Sequence, residues 1–294
     1  MIKPPRTFSL IGPGRVGSSL GMALEKKEWT CKSVMRRGSS KSQLARLKST
    51  FPNAIILTNQ FVIRGDFEVL FICVRDGEIE NVVARLSSIN KIDWNSKVVF
   101  HVSGIKGVEL LDPLKKLGAA IGALHPVAAF ANEFQPESAF GIYFDYLGDN
   151  SGLIIAKQIV KLFNSKLIVL ENELQKVILH VASAIASNST VVAVRSAEKL
   201  ISDFVKPADA KIVMASLMSS TVNNLLNNDG MKSLTGPLVR GDVEVISRHI
   251  KALESNKTLL QFYKSWSLLG VETLLKAGHK NKVRLKEINK ILSR

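Results

Sequence analysis

Over the first 170 residues, short apolar runs alternate with stretches in which apolar positions recur every three or four residues. The short runs predict strands over 7–11, 29–35, 54–57, 69–74, 97–102, 119–124, 142–147 and 166–170. The helical periodicities between them cover 16–26, 42–50, 79–86, 107–117 and 153–163. Strands alternating with helices imply a mostly parallel sheet covered on both faces. Beyond residue 171 the strand pattern stops, and helical periodicity runs through 172–197, 208–227, 243–253, 257–276 and a basic tail. The expected fold is α/β, with a doubly wound N-terminal domain over 1–171 followed by an all-helical domain over 172–294.

The first strand ends in Gly12-Pro13-Gly14-Arg15-Val16-Gly17, at the opening of a helix. This is G-x-G-x-x-G in the setting that a dinucleotide-binding Rossmann domain requires. Gly12 permits the tight turn and Gly14 lets a pyrophosphate approach the backbone. Gly17 lets the helix lie close to the strand. The second strand ends in Met35-Arg36-Arg37-Gly38-Ser39-Ser40-Lys41, with no acid at the place where NAD enzymes hold the ribose 2′-hydroxyl. Arg36, Arg37 and Ser39, with Ser40 and Lys41, offer donors to a 2′-phosphate instead, so the cofactor expected is NADP(H). Val74 and Arg75, at the end of another strand, complete the expected cofactor contacts.

In doubly wound folds the chemistry lies at the carboxyl ends of the strands. Ser103 follows one strand and can orient a substrate or cap the next helix. His125, before Pro126, can exchange protons near neutrality or hold a loop. Asp76 is expected to cap a helix. On the first helix of the second domain, His180 and Asn188 lie roughly 80° apart around the axis, so both can face one cleft or make interhelical contacts. Arg240, after Thr235-Gly236-Pro237, can grip a carboxylate or pair with Asp242.

These pieces, in order and spacing, resemble a bacterial Rossmann-like NADP-binding family whose C-terminal domain is of unknown function. That family is related to ketopantoate reductase, 6-phosphogluconate dehydrogenase and pyrroline-5-carboxylate reductase. The likeness covers almost the whole chain. It implies a helical C-terminal domain like that of 6-phosphogluconate dehydrogenase, dimerisation through those helices, and an active site between the domains. The β-hydroxyacid dehydrogenase relatives use a lysine as acid/base, with an asparagine four residues later. Ala184 stands four residues before Asn188, so no lysine is expected at the site and proton transfer falls to His180 or His125. The expected function is an NADPH-dependent reductase acting on a small carbonyl or imine compound with a carboxylate, Ser103, Asn188 and Arg240 orienting it. The alternative is a non-catalytic NADP(H)-binding regulatory or assembly protein.

Composition narrows the setting. Hydrophobic residues make up 46% and charged residues 22% of the 294, which suits a globular protein. No stretch holds the roughly 18 uninterrupted apolar residues of a spanning helix, and Gly12 to Arg15 interrupt the N-terminal run too early for a secretory signal. A cytoplasmic protein away from membranes is expected, with Cys31 and Cys73 as reduced thiols in strands and no metal site. The net charge of +15 attracts polyanions. Much of it sits on an amphipathic C-terminal helix without interleaved aromatics, so nucleic acid is not expected as a partner.

Overall fold

The structure is a computed structural model that describes residues 6–38, 40–58, 61, 63–228 and 230–294. Its chain divides into two compact units after Asn188. The first holds eight strands: β1 (Thr7–Ile11), β2 (Thr30–Arg36), β3 (Ile55–Thr58), β4 (Val69–Ile72), β5 (Val98–His101), β6 (Ala120–Val127), β7 (Tyr143–Gly148) and β8 (Lys166–Val169). Its helices are α1 (Arg15–Glu25), α2 (Lys41–Thr50), α3 (Ile79–Ser87), α4 (Asp112–Lys115), α5 (Asn150–Leu162) and α6 (Glu173–Ala186).

The strands form one sheet in the order β3-β2-β1-β4-β5-β6-β7-β8. All neighbours are parallel except β6 and β7. β4 is buried at every position because helices cover both faces of the sheet, and successive side chains feed opposite cores. Phe71 joins Phe8, Phe100 and Phe144 on one face, whereas Leu70 and Ile72 join Val99 and Ile121 on the other. The order of the strands reverses between β1 and β4, so their carboxyl ends open the crevice where such sheets bind ligands.

All eight strands lie where the apolar runs predict them, within one to three residues. The segment expected as a helix over 107–117 is instead a 3₁₀ turn at Val108–Leu111 followed by the single-turn α4. Pro113, at the start of α4, lacks the N–H that a continuous helix would need from it. The helix expected over 172–197 breaks at Ser187 into α6 and α7 (Asn188–Leu200). The break falls in the polar run Ser187-Asn188-Ser189-Thr190, whose short side chains compete for backbone hydrogen bonds. The boundary read near residue 171 marks the end of the strands, and α6 belongs with the sheet.

The second unit also contains α8 (Pro207–Asn227), α9 (Pro237–Arg240), α10 (Val243–Ala252), α11 (Lys257–Lys276) and α12 (Lys282–Leu292). Its core gathers Leu238, Ile246, Val271, Leu274, Leu285, Ile288 and Leu292. The segment Glu173–Leu200 is long and apolar enough to cross a membrane by length and composition. Counting uninterrupted apolar residues misses it, because Lys176 and His180 interrupt the run.

Asp149 ties β6 to α5. Its Oδ1 accepts the Gly152 N–H as the helix cap at 2.7 Å, and its Oδ2 accepts the Ile121 N–H at 2.8 Å. Asp149→Ala removes the cap and leaves a buried amide without that acceptor, so it should cost about 2 kcal/mol in urea unfolding. A loss below about 0.5 kcal/mol would show that this clamp does not hold α5 to β6.

Candidate active site

The glycine turn has the local geometry that its motif requires. Gly12 has φ +86°, and a Cβ there would stand 2.7 Å from the Cys73 carbonyl oxygen. A Cβ on Gly17 would press on the Gly12 carbonyl and the Cys73 Cβ, so α1 lies against the end of β4 only because Gly17 lacks one. Around Gly14 nothing lies within 4 Å of the Cβ position, and no side chain caps α1 there. The helix therefore presents uncapped amides and the positive end of its dipole to open space, which is an anion site. Arg15 is exposed at the first turn, and Val16 packs against the core.

A cavity of about 490 Å³ adjoins this turn, lined among others by Gly12, Pro13, Gly14, Arg36, Arg37, Val74 and Arg75. Glycines for a pyrophosphate and arginines for a further phosphate fit a dinucleotide, and these are the residues that would hold one. Two acids enter the region as well, contrary to the expectation drawn from residues 35–41. Arg37 pairs with Glu78 at 3.1 Å, and Arg36 lies 3.7 Å from Glu133 while reaching the Pro13 carbonyl at 3.5 Å. Both acids come from distant segments, which the local pattern does not report. Ser40 caps α2 by accepting the Gln43 N–H, and Ser39 lies outside the described residues. At the far wall the Arg85 guanidinium stacks 4.1 Å from the Phe61 ring centre, a flat surface that sequence reasoning missed. Cys31 and Cys73 are free thiols, and burial pushes both well above the usual thiol range. They are accordingly inert.

Ser103 and His101 build the next turn. The Ser103 Oγ accepts the N–H groups of Ile105 and Lys106 at 3.3 and 3.1 Å within a bend, not as a helix cap, since the next helical turn opens at Gly107 without a side-chain bond; its own hydrogen remains to donate. His101, wholly buried, donates from Nε2 to the Gly107 carbonyl at 2.9 Å and accepts the Ser103 N–H at Nδ1. Burial, chiefly, with the Lys176 charge beside it, lowers its pKa to about 4 against the bond to Gly107. Asp76 opens a 3₁₀ turn without capping it, since Arg75 holds the capping position and no side-chain bond closes it.

His125 on β6 stands opposite Asp145 in the antiparallel register with β7. Its Nδ1 lies 2.6 Å from Asp145 Oδ2, and the other carboxylate oxygen accepts from Lys176 Nζ of α6. Lys176 and Asp145 are buried to within 1% of their surface, while the His125 side chain keeps 17% exposed. His180, one turn beyond Lys176, faces His125 with ring centres 5.9 Å apart. Gly104 runs beside both rings. A Cβ on it would clash with the His180 Cδ2 and stand 3.0 Å from the His125 Nε2.

The structure thus brings Ser103, His125 and His180 together. It also corrects the expectation that no lysine stands at the site. Lys176 lies four residues before His180 rather than four before Asn188. Lys176 and Asp145 were missed, although each is a charge inside an otherwise apolar segment, which is the signal that could have found them. Asn188 is exposed at the start of α7, and the break at Ser187 removes the continuous stripe that would join it to His180. In the second unit, Gly236 and Pro237 open α9, and Arg240 Nε donates to Asp242 Oδ2 at 2.7 Å, the structural pairing.

With this geometry the class is plain: the N-terminal half is a Rossmann-like domain, matched as such over residues 1–126. Residues 142–269 match the domain of unknown function DUF2520, so the chain joins a Rossmann-like domain to a DUF2520 domain, as its motifs suggest. Among solved structures the fold is shared with a candidate NADP oxidoreductase of Bacteroides fragilis, at 19% identity and TM-score 0.74 over 90% of this chain and 96% of that one. It is shared too with a Thermotoga maritima protein, at 22% identity and TM-score 0.67 over 98% and 100% of the two chains. A pyrroline-5-carboxylate reductase of Coxiella burnetii is similar at 15% identity and TM-score 0.55, over 99% and 100%. No curated protein matches the chain.

His101 is held neutral in the folded chain, so protonation favours unfolding. Its contribution is complete above pH 6.5 and is lost as pH falls toward 4. Between pH 7 and 4.5 the His101→Gln protein should lose about 2 kcal/mol less stability in urea than the wild type. Equal losses would remove His101 from the account.

Proposed function

We propose that the chain is an NADP(H)-dependent oxidoreductase that reduces a small carbonyl or imine compound bearing a carboxylate. The observation that carries this reading is the uncapped start of α1 at Gly14, opening onto a cavity lined by Arg36 and Arg37. Gly12, Gly14 and Gly17 serve the pyrophosphate, and Arg36 and Arg37 serve the 2′-phosphate that separates NADP(H) from NAD(H). When bound, the nicotinamide supplies a hydride. The chain supplies a proton from His125 or His180 and orientation by the Ser103 hydroxyl. The name of the Coxiella neighbour describes reduction of a cyclic imine with a carboxylate, which agrees with this substrate class.

Calorimetry should find NADPH bound at least tenfold more tightly than NADH, and Arg37→Glu should abolish most of that preference. NADPH oxidation against a panel of 2-oxo acids and cyclic imines should reveal turnover, reduced at least a hundredfold in whichever of His125→Ala and His180→Ala removes the proton donor. Tight binding without turnover on any compound would favour a non-catalytic NADP(H)-binding protein instead.

We further propose a homodimer formed through the helical region. Among the described residues α7 buries no side chain, and α8 buries only Ala210. Val191, Val192, Ile212, Leu217, Leu225 and Leu226 are instead exposed, an apolar surface that a second copy would cover. Sedimentation equilibrium should give a dimer at micromolar concentration, and Leu217→Lys with Leu225→Lys should give monomers. A wild-type monomer overturns the assignment.

A further inference from the structure

His125 has two ring nitrogens, and they stand in opposite surroundings. Nδ1 meets Asp145 Oδ2 at 2.6 Å. A carboxylate can only accept, so in this contact Nδ1 carries a hydrogen. Nε2 lies at the other edge of the ring, beside Gly104, where a Cβ would stand 3.0 Å from it. Behind this pair Lys176 Nζ, fully buried, donates to the second oxygen of Asp145. Among the described residues no hydrogen bond fixes the ring of the exposed His180 in the same way.

We propose that Asp145 and Lys176 are positioning residues for His125, locking its Nδ1–H tautomer so that Nε2, beside Gly104, is the atom that exchanges a proton with the substrate. This deepens the reductase reading, on which the identity of the proton acceptor rests. It also assigns the proton to His125 rather than to His180.

The lysine has a specific part in this arrangement. A lone carboxylate in a dry site would hold an imidazolium so strongly that giving up its proton becomes uphill. The Lys176 ammonium offsets that charge, so the ring can pass between its two forms without leaving an unpaired ion inside. Burial pushes the Lys176 amine down and Asp145 pushes it back up, with Asp76 adding to that support. The other titratable group facing the ring is His180 on α6, and His101, at the end of β5, interacts with Asp145 and Lys176. His101 is held neutral there, so it adds no charge at working pH. In the step itself, protonated His125 would give its Nε2 hydrogen to the substrate oxygen or nitrogen, while the adjoining carbon would take the hydride that a bound NADPH supplies. The neutral ring keeps its hydrogen on Nδ1 and regains the other from water.

The test is a pH titration of the ring nitrogens by NMR, on the full-length ¹⁵N-histidine-labelled protein without cofactor. The His125 signals are identified by their loss in His125→Ala. Neutral His125 should show hydrogen on Nδ1 and a bare Nε2. Lys176→Met should raise its titration midpoint by about one pH unit, and Asp145→Asn, which removes the nearer charge, should lower it by more than that and mix the tautomers. The pH profile of NADPH turnover should move in the same directions. Should Lys176→Met fail to fold, the neutral pair Lys176→Met with Asp145→Asn must still lower the midpoint. A His125 tautomer and midpoint unchanged in the folded variants overturn the proposal. The expected NMR pattern with no turnover on any substrate upholds the positioning pair and overturns the reductase reading alone.

Discussion

Asp145 puts a negative charge inside a sheet, and much of the surrounding structure answers to it. An ion of that size removed from water costs several kcal/mol unless partners replace its hydration. Two do so, one on each carboxylate oxygen: the Lys176 ammonium and the His125 ring. For His125 to reach it, β6 and β7 must run antiparallel in the register that sets residues 125 and 145 opposite each other. For Lys176 to reach it, α6 must lie against β7 with one defined face inward. That face also carries His180, one turn along, which is how an exposed histidine comes to stand beside a half-buried one.

The nucleotide half of the unit rests on a different kind of constraint, one of backbone space. Gly12 and Gly17 are needed because carbonyl and Cβ atoms around Cys73 already fill the room that side chains would take. Gly14 is different, since the space above it is empty and its value lies in what can enter. One turn of chain therefore both seals α1 to the end of β4 and leaves the amides of α1 uncovered. Ser18 and Ser19, buried on the next turn, accept the amides of Phe134 and Gln135 and fasten the segment after β6 to the same helix.

The sheet was legible because its strands are wrapped on both sides. A run such as Val69 to Ile72 has no polar face to confuse. The helical segments were read less well where polar residues decide the ending. Pro113 cuts one predicted helix to a single turn, and the polar run at 187–190 splits another. At the site, the turn residues and His125 could be found from position alone, since strand ends in this fold carry chemistry, and His180 as a polar residue on an otherwise apolar helix. Asp145 and Lys176 could not be paired from the sequence, because 31 residues separate them and nothing local links a strand acid to a helix lysine. The same holds for Glu78, which reaches Arg37 only once β1, β2 and β4 lie side by side, and for Glu133, which reaches Arg36 from the segment fastened to α1.

The pairing of Arg37 with Glu78 bears on how finely the pocket can weigh one anion against another. A cation already bonded to a carboxylate offers a newcomer only an exchange of partners, so the net gain is the difference between two similar contacts rather than the full strength of either. The displaced acid then either swings into solvent or stays nearby and repels the newcomer. Discrimination between ligands with and without a phosphoryl group at that position is accordingly shallower than a count of arginines suggests, and the glutamate sets its depth as much as the guanidinium does.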